Sequence, residues 1–157
     1  MIDQDSFRAV LGRFASGVTV ITALDEAGND QGMTVSAFCS LSLDPPLILF
    51  CVDREASMYE SLGETTGFIV NILSESQEPL ARRFSGPDPN RFDGIGYQRG
   101  LTGAAILDDV LGYLECRRIE FHSGGDHRIY VGEVEVARSR EGRPLLYYRG
   151  GYAQLER

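Results

Sequence analysis

The stretch MTVSAFCSLSLDPP, residues 33 to 46, alternates with period two. Met33, Val35, Ala37, Cys39, Leu41 and Leu43 fall on one side; Thr34, Ser36, Phe38, Ser40 and Ser42 fall on the other. A strand points successive side chains to opposite faces, so the pattern predicts one strand over 31–43 with an apolar face for a core and a face of small hydroxyls. Two readings fit the second face. It is an exposed polar face, or it is a ligand face, since small hydroxyls leave room for something else to approach the backbone. A second candidate is DREAS, 53–57, at the handover from an apolar strand to a helix. Ser57 suits a helix N-cap there, and with Arg54 it also suits a seat for a phosphate; the two roles are compatible. A third is GDHRIYVGEV, which places His127 at a strand start after a tight turn, either as a surface histidine or at the mouth of a barrel.

Other chemistries are excluded or unsupported. All fifteen basic residues are Arg, so a P-loop and a lysine Schiff base are impossible. Any anion is held by Arg, hydroxyls or backbone N–H groups. The two histidines, His122 and His127, lack the spacing of a zinc site, and no GxSxG nucleophile elbow occurs. GIGYQRG imitates a dinucleotide fingerprint, yet a polar PDPNRFD stretch precedes it where a buried strand is required. Cys39, Cys51 and Cys116 are odd in number, form no CxxC pair and read as buried thiols. A formal net charge of -8 without a basic, aromatic-rich patch argues against nucleic acid and an anionic membrane as partners. No segment is long and apolar enough to span a membrane, and the acidic opening MIDQDSF lacks signal-peptide character, so a cytoplasmic protein is expected.

These residues need elements to position them. Residues 5–15 carry Phe7, Val10, Leu11 and Phe14 at helical spacing, with Gly17 as the stop. GVTVITAL and residues 31–43 read as a hairpin; LILFCV and GFIVNIL read as buried strands; SMYESLGE and SQEPLARRF read as short helices. Residues 85–104 read as a long exposed loop. GYLECRRIEFHS and HRIYVGEVEVARS are the longest strand candidates, and the shift of apolar positions around Gly132 predicts a bulge. About seven strands with two or three helices and no regular alternation predict a small barrel in one domain, 1–157.

Taken in order, FRAVLGRFASGVTVIT, GMTVSAFCSLSLDPPLILFCV, NIL with LARRFSG, GDHRIYVGEV and LLYYRGGY resemble the short-chain flavin reductase family. Its members are NAD(P)H:flavin oxidoreductase components of two-component flavin-dependent monooxygenases. The resemblance implies a mainly β fold, an FMN-binding split β-barrel with Greek-key-like order and short flanking helices. It implies hydride transfer from NADH or NADPH to FMN or FAD, release of reduced flavin to a separate monooxygenase, and a homodimer. It sets Thr34, Val35, Ser36 and Ala37 along the flavin's polar edge, Ser57 and Arg54 at its phosphate, Arg83 and Phe84 beside it, and His127 and Tyr152 near the nicotinamide or the open flavin face. Asp53 stands where the family often has Asn. A flavin-binding electron carrier on the same barrel, without reductase activity, is the alternative.

Overall fold

The computed structural model describes residues 1–156. Helix α1 (Gln4–Leu11) leads into β1 (Ser16–Gly17), β2 (Thr19–Leu24), β3 (Asp30–Val35), β4 (Phe38–Leu43) and β5 (Pro46–Asp53). Then come α2 (Tyr59–Glu64), β6 (Gly67–Ile72), a 3-10 turn (Glu75–Gln77), α3 (Glu78–Ser85), β7 (Tyr97–Arg99) and β8 (Ala105–Leu107). The long strands β9 (Gly112–Gly124) and β10 (His127–Ser139) form a hairpin, and β11 (Leu145–Tyr148) and β12 (Gly151–Gln154) follow.

The main sheet has seven antiparallel strands in the order β3-β2-β6-β9-β10-β5-β4. The run β6-β9-β10-β5 places an earlier strand beside the last of three later ones, which is the expected Greek-key-like order. Its two edge strands, β3 and β4, are consecutive in the chain. Here the expected single strand over 31–43 is corrected: it breaks at Ser36 and Ala37, pairing with β2 before the break and with β5 after it. The sheet closes on itself through that crossover.

Inside the barrel lie Ile21, Val35, Phe50, Phe68, Tyr130 and their neighbours, with Met58 and Leu62 of the α2 segment plugging one end. A second core, on the outer face of β2, packs Val18 and Val20 against Phe84 of α3, Leu107 and Leu145. Buried Asn71 joins the layers: its amide nitrogen donates to the Val20 carbonyl at 3.0 Å and the Thr22 hydroxyl at 3.1 Å, and its oxygen accepts from Leu107 N–H at 2.9 Å. A buried amide is tolerated because it is satisfied on both ends.

Several expectations change. The α1 helix ends at Leu11 with Gly12 as its cap, five residues before Gly17, and Asp3 caps its start by accepting Ser6 N–H at 2.8 Å. None of its residues is buried. Cys39, Leu41 and Leu43 of β4, expected in the core, are exposed, and of the three cysteines only Cys116 is buried. Residues 85–104 contain β7, and Phe92, Ile95 and Tyr97 pack on the second core, so this segment is anchored. Two of its glycines are packing positions: a Cβ on Gly96 would strike Asp108, and one on Gly100 would strike Glu115.

The bulge at Gly132 is present, as a register shift between Val131 and Gly132. A Cβ there would fall 2.5 Å from Phe68 Cζ, so the barrel needs a residue without one. Gly132→Ala is expected to cost about 1 to 3 kcal/mol by overpacking. A lower urea midpoint at unchanged slope checks it.

Candidate active site

The crossover is pinned on both sides. Thr34 hydroxyl donates to the Ala81 carbonyl at 2.6 Å, docking α3 on β3, and Thr19 hydroxyl donates to the Val35 carbonyl at 2.6 Å. Phe38 N–H donates to Ser36 O, and Cys51 N–H to Ala37 O, both at 3.0 Å. Val35 is buried in the barrel core. Of the four residues expected along a ligand edge, Thr34 therefore has its hydroxyl engaged and Val35 has its side chain in the core. Ser36 and Ala37 face open space.

That space is a groove of about 970 Å³ between α1 and the β4–β5 edge, lined among others by Phe7, Leu11 and Phe14 on one wall and Ser36, Ala37 and Cys39 on the other. Leu49 and Cys51 extend the second wall. Arg8, Arg13 and Arg149 also line it against a single acid, Asp5, giving a locally basic surface in a chain of net charge -8. The sequence reading did not single out this Arg set, because Arg13 and Arg149 meet only when Arg149 N–H bonds to Gly12 O at 2.9 Å. Leu49 and Cys51 lie in the continuous apolar run LILFCV, which does not mark them as groove residues. Burial, then the neighbouring Cys39, raises the pKa of the groove thiol Cys51. Burial, followed by Glu135 and Glu115, pushes Cys116 up to about 12.

An outward strip runs from the groove to His127. Cys51 is directly opposite Ile129, and Asp53 is opposite His127, so these four side chains share one face. His127 lies two strands across and two residues along from Ala37, about 12 Å between backbones at ordinary sheet spacings. It is half-exposed, and its Nδ1 lies 2.7 Å from Asp126 Oδ1. That hydrogen bond, then the imidazole charge, holds Asp126 below the usual carboxylate range, with Arg54 contributing. Arg54 N–H donates to the Asp126 carbonyl at 3.1 Å, tying the turn at 53–57 to the hairpin tip.

Ser57 is not a helix cap; Met58 takes the cap position without a side-chain bond, and Ser57 is exposed. Asp53 turns its carboxylate onto Glu55 N–H at 2.8 Å, which occupies the acid that would otherwise face an incoming phosphate. Arg83 donates through a terminal nitrogen to Asn90 O at 2.9 Å, while its Nε is buried without a partner. Phe84 is fully buried against Phe92 and Gly32, so its ring has no free surface for a ligand. Tyr152 packs edge-on against Tyr147 at 5.5 Å with Arg82 over its ring. The structure thus gathers Ser36 and Ala37 at the groove, Arg54, Ser57 and His127 at the barrel rim, and Arg83, Phe84 and Tyr152 around α3 and β12.

The pattern of the flavin reductase like domain matches residues 11–156. The chain belongs to the flavin reductase family. Among its relatives, the HsaB reductase subunit of a flavin-dependent monooxygenase from Rhodococcus jostii is 40% identical over 156 residues, 99% of this chain and 80% of that one. The FMN reductase (NADH) SmoA of Agrobacterium fabrum is 40% identical over 152 residues, covering 97% and 86%. Among solved structures, an NADH:FAD oxidoreductase from Streptomyces globisporus, in complex with NAD and FAD fragments, superposes with a TM-score of 0.93 at 34% identity, covering 98% of this chain and 93% of that one. As in its flavin reductase relatives, the present fold is mainly β around a seven-stranded antiparallel sheet. No helix among the described residues is long and apolar enough to cross a membrane.

The groove fits a flavin: Ser36 offers a hydroxyl, Arg13 and Arg149 offer positive charge, and Phe7, Leu11 and Phe14 offer an apolar wall. The side chains differ in what they do for folding. Phe84→Ala is expected to lose about 3 to 5 kcal/mol of unfolding stability, and exposed Ser57→Ala no more than about 0.5 kcal/mol. Urea unfolding of both variants without flavin checks the contrast.

Proposed function

We propose that this flavin reductase holds the isoalloxazine ring of FMN or FAD in the groove beside Ser36 and Ala37, takes its electrons from NADH, and works as a homodimer. The observation that carries the reading is the crossover itself. A strand that leaves one sheet edge for the other exposes small residues, Ser36 and Ala37, on the wall of a groove of about 970 Å³, at the large end of ordinary ligand sites. The name of the Agrobacterium relative pairs NADH with FMN, and that of the Streptomyces relative pairs NADH with FAD. The ring common to both flavins is what the groove must accommodate.

When bound, the flavin supplies the redox chemistry, accepting a hydride from the nicotinamide and leaving in reduced form for a separate monooxygenase. The chain's residues bind and orient. Ser36 and Ala37 allow close backbone approach; Arg54 and Ser57, on a turn where the Asp53 carboxylate accepts from Glu55 N–H, receive the flavin phosphate. Arg83 from α3 and Tyr152 from β12 are the further cofactor contacts of this reading. Arg13 and Arg149 attract anionic cofactors to a chain that otherwise repels them. His127 orients the nicotinamide carboxamide from the rim. Hydride transfer needs no protein nucleophile, and the raised Cys51 thiol is not one.

Phe7, Val10 and Leu11 on α1, Phe14 just beyond it, and Leu41 and Leu43 on β4 are exposed large apolar side chains, the kind of surface that a partner covers. A second copy covers it and completes the site. Sedimentation at micromolar concentration is expected to give a dimer, and a monomer that still binds flavin would contradict this arrangement.

The role of His127 is tested by His127→Ala. Flavin affinity stays nearly unchanged, while anaerobic flavin reduction by NADH slows about 10-fold to 100-fold, a loss of about 1.4 to 2.8 kcal/mol of positioning. Stopped-flow reduction at the wild-type rate would remove the assignment.

A further inference from the structure

We propose that Asp126 is a positioning residue that keeps the proton of neutral His127 on Nδ1, so that Nε2 is presented as a hydrogen-bond acceptor to the nicotinamide carboxamide. This rests on the reading of His127 given above. Asp126 and Gly125 form the two-residue turn between β9 and β10, with φ +62° at Gly125 and no positive φ at Asp126. That is the geometry of a turn requiring glycine at its first central position only. The backbone therefore accounts for Gly125 and leaves the choice at 126 open among Asp, Asn and Ser.

The carboxylate supplies what the turn does not demand. It lies 2.7 Å from His127 Nδ1 and has no second side-chain partner among the described residues. Its side chain is 89% exposed, so the pair adds little to folding. What it adds is direction. An ionised carboxylate only accepts hydrogen bonds, so this contact requires Nδ1–H, and the neutral ring then carries its lone pair on Nε2. The lowered pKa of Asp126 keeps the carboxylate ionised at neutral pH. The turn is itself fixed, because Arg54 N–H holds the Asp126 carbonyl at 3.1 Å. The charged groups around the imidazole are Asp126 on the turn, Asp53 across the ladder on β5, and Arg54 beside Asp126. His122, two ladder positions back on β9, is paired with Glu120 at 3.4 Å and does not contact it.

The first test uses the flavin-free protein and no turnover. His122→Gln leaves one imidazole, and ring nitrogen NMR at about pH 8, where an ordinary histidine is neutral, reads its tautomer. The expected result is Nδ1–H with bare Nε2, shifting toward Nε2–H in Asp126→Asn, which keeps the turn chemistry but can donate as well as accept. An Nε2–H ring in the parent, or an unchanged tautomer in the variant, would overturn the proposal.

The second test is a double-mutant cycle on anaerobic flavin reduction by NADH. Asp126→Asn is expected to slow reduction about 10-fold with flavin affinity unchanged, Asp126→Glu to recover part of the rate, and Asp126→Asn to add nothing in a His127→Ala background. Equal losses in both backgrounds would mean that Asp126 acts independently of His127 and would overturn the proposal. A wild-type rate for His127→Ala alone would instead remove the role of His127, while the tautomer measurement still judges what Asp126 does to the ring.

Discussion

The seven-stranded sheet closes because the chain from Asp30 to Leu43 pairs on both of its edges, and that closure depends on how the backbone is held at Ser36 and Ala37. Four hydrogen bonds fix the changeover. The Thr19 and Thr34 hydroxyls anchor the β3 side to Val35 O and Ala81 O, while Ala37 O accepts from Cys51 and Ser36 O from Phe38 on the β4 side. Losing the anchors would free β3 to continue in register as an ordinary edge strand. The barrel interior would then open, and the groove would lose one wall.

The same constraint arranges the chemistry. Because Ala37 sits opposite Cys51, and Asp53 opposite His127, the register of β5 between β4 and β10 sets how far the small residues of the crossover lie from the histidine at the rim. The Gly132 bulge belongs to this arrangement too. It lets β10 bend over Phe68 without disturbing the ladder from His127 to Val131 that carries the outward strip. Positions far from the groove thus control its geometry through sheet register, and none of the rim residues needs a buried charge to stay in place.

Much of the fold was legible in the sequence. GFIVNIL and LILFCV are apolar runs bounded by breakers, and the shift of parity at Gly132 announced the bulge, because such signals depend on local geometry. The strand break was hidden. Period two passes unaltered through Ser36 and Ala37, and what changes there is the pairing partner, which is a tertiary fact. The alternation of Cys39, Leu41 and Leu43 signals burial without saying whether this chain or another supplies it. At the site, Ser36 was legible as part of a hydroxyl face and Arg54 and His127 as polar residues at element ends, while Ala37 entered only through the family resemblance. The engagement of Thr34 was not legible, since its partner, Ala81, is 47 residues away. Phe84 shares a helix face with Ala81, and both side chains are buried in the second core.

In the proposed function the crossover beside the groove seats the flavin. A crystal structure of the full chain with FMN measures this most directly. The predicted result is ring density against Ser36 and Ala37, with the phosphate at Arg54 and Ser57. Flavin density elsewhere, for instance in the smaller cavity of about 310 Å³ lined by Gly112, Tyr113 and Arg138, with the groove beside Ser36 left to solvent, would contradict it.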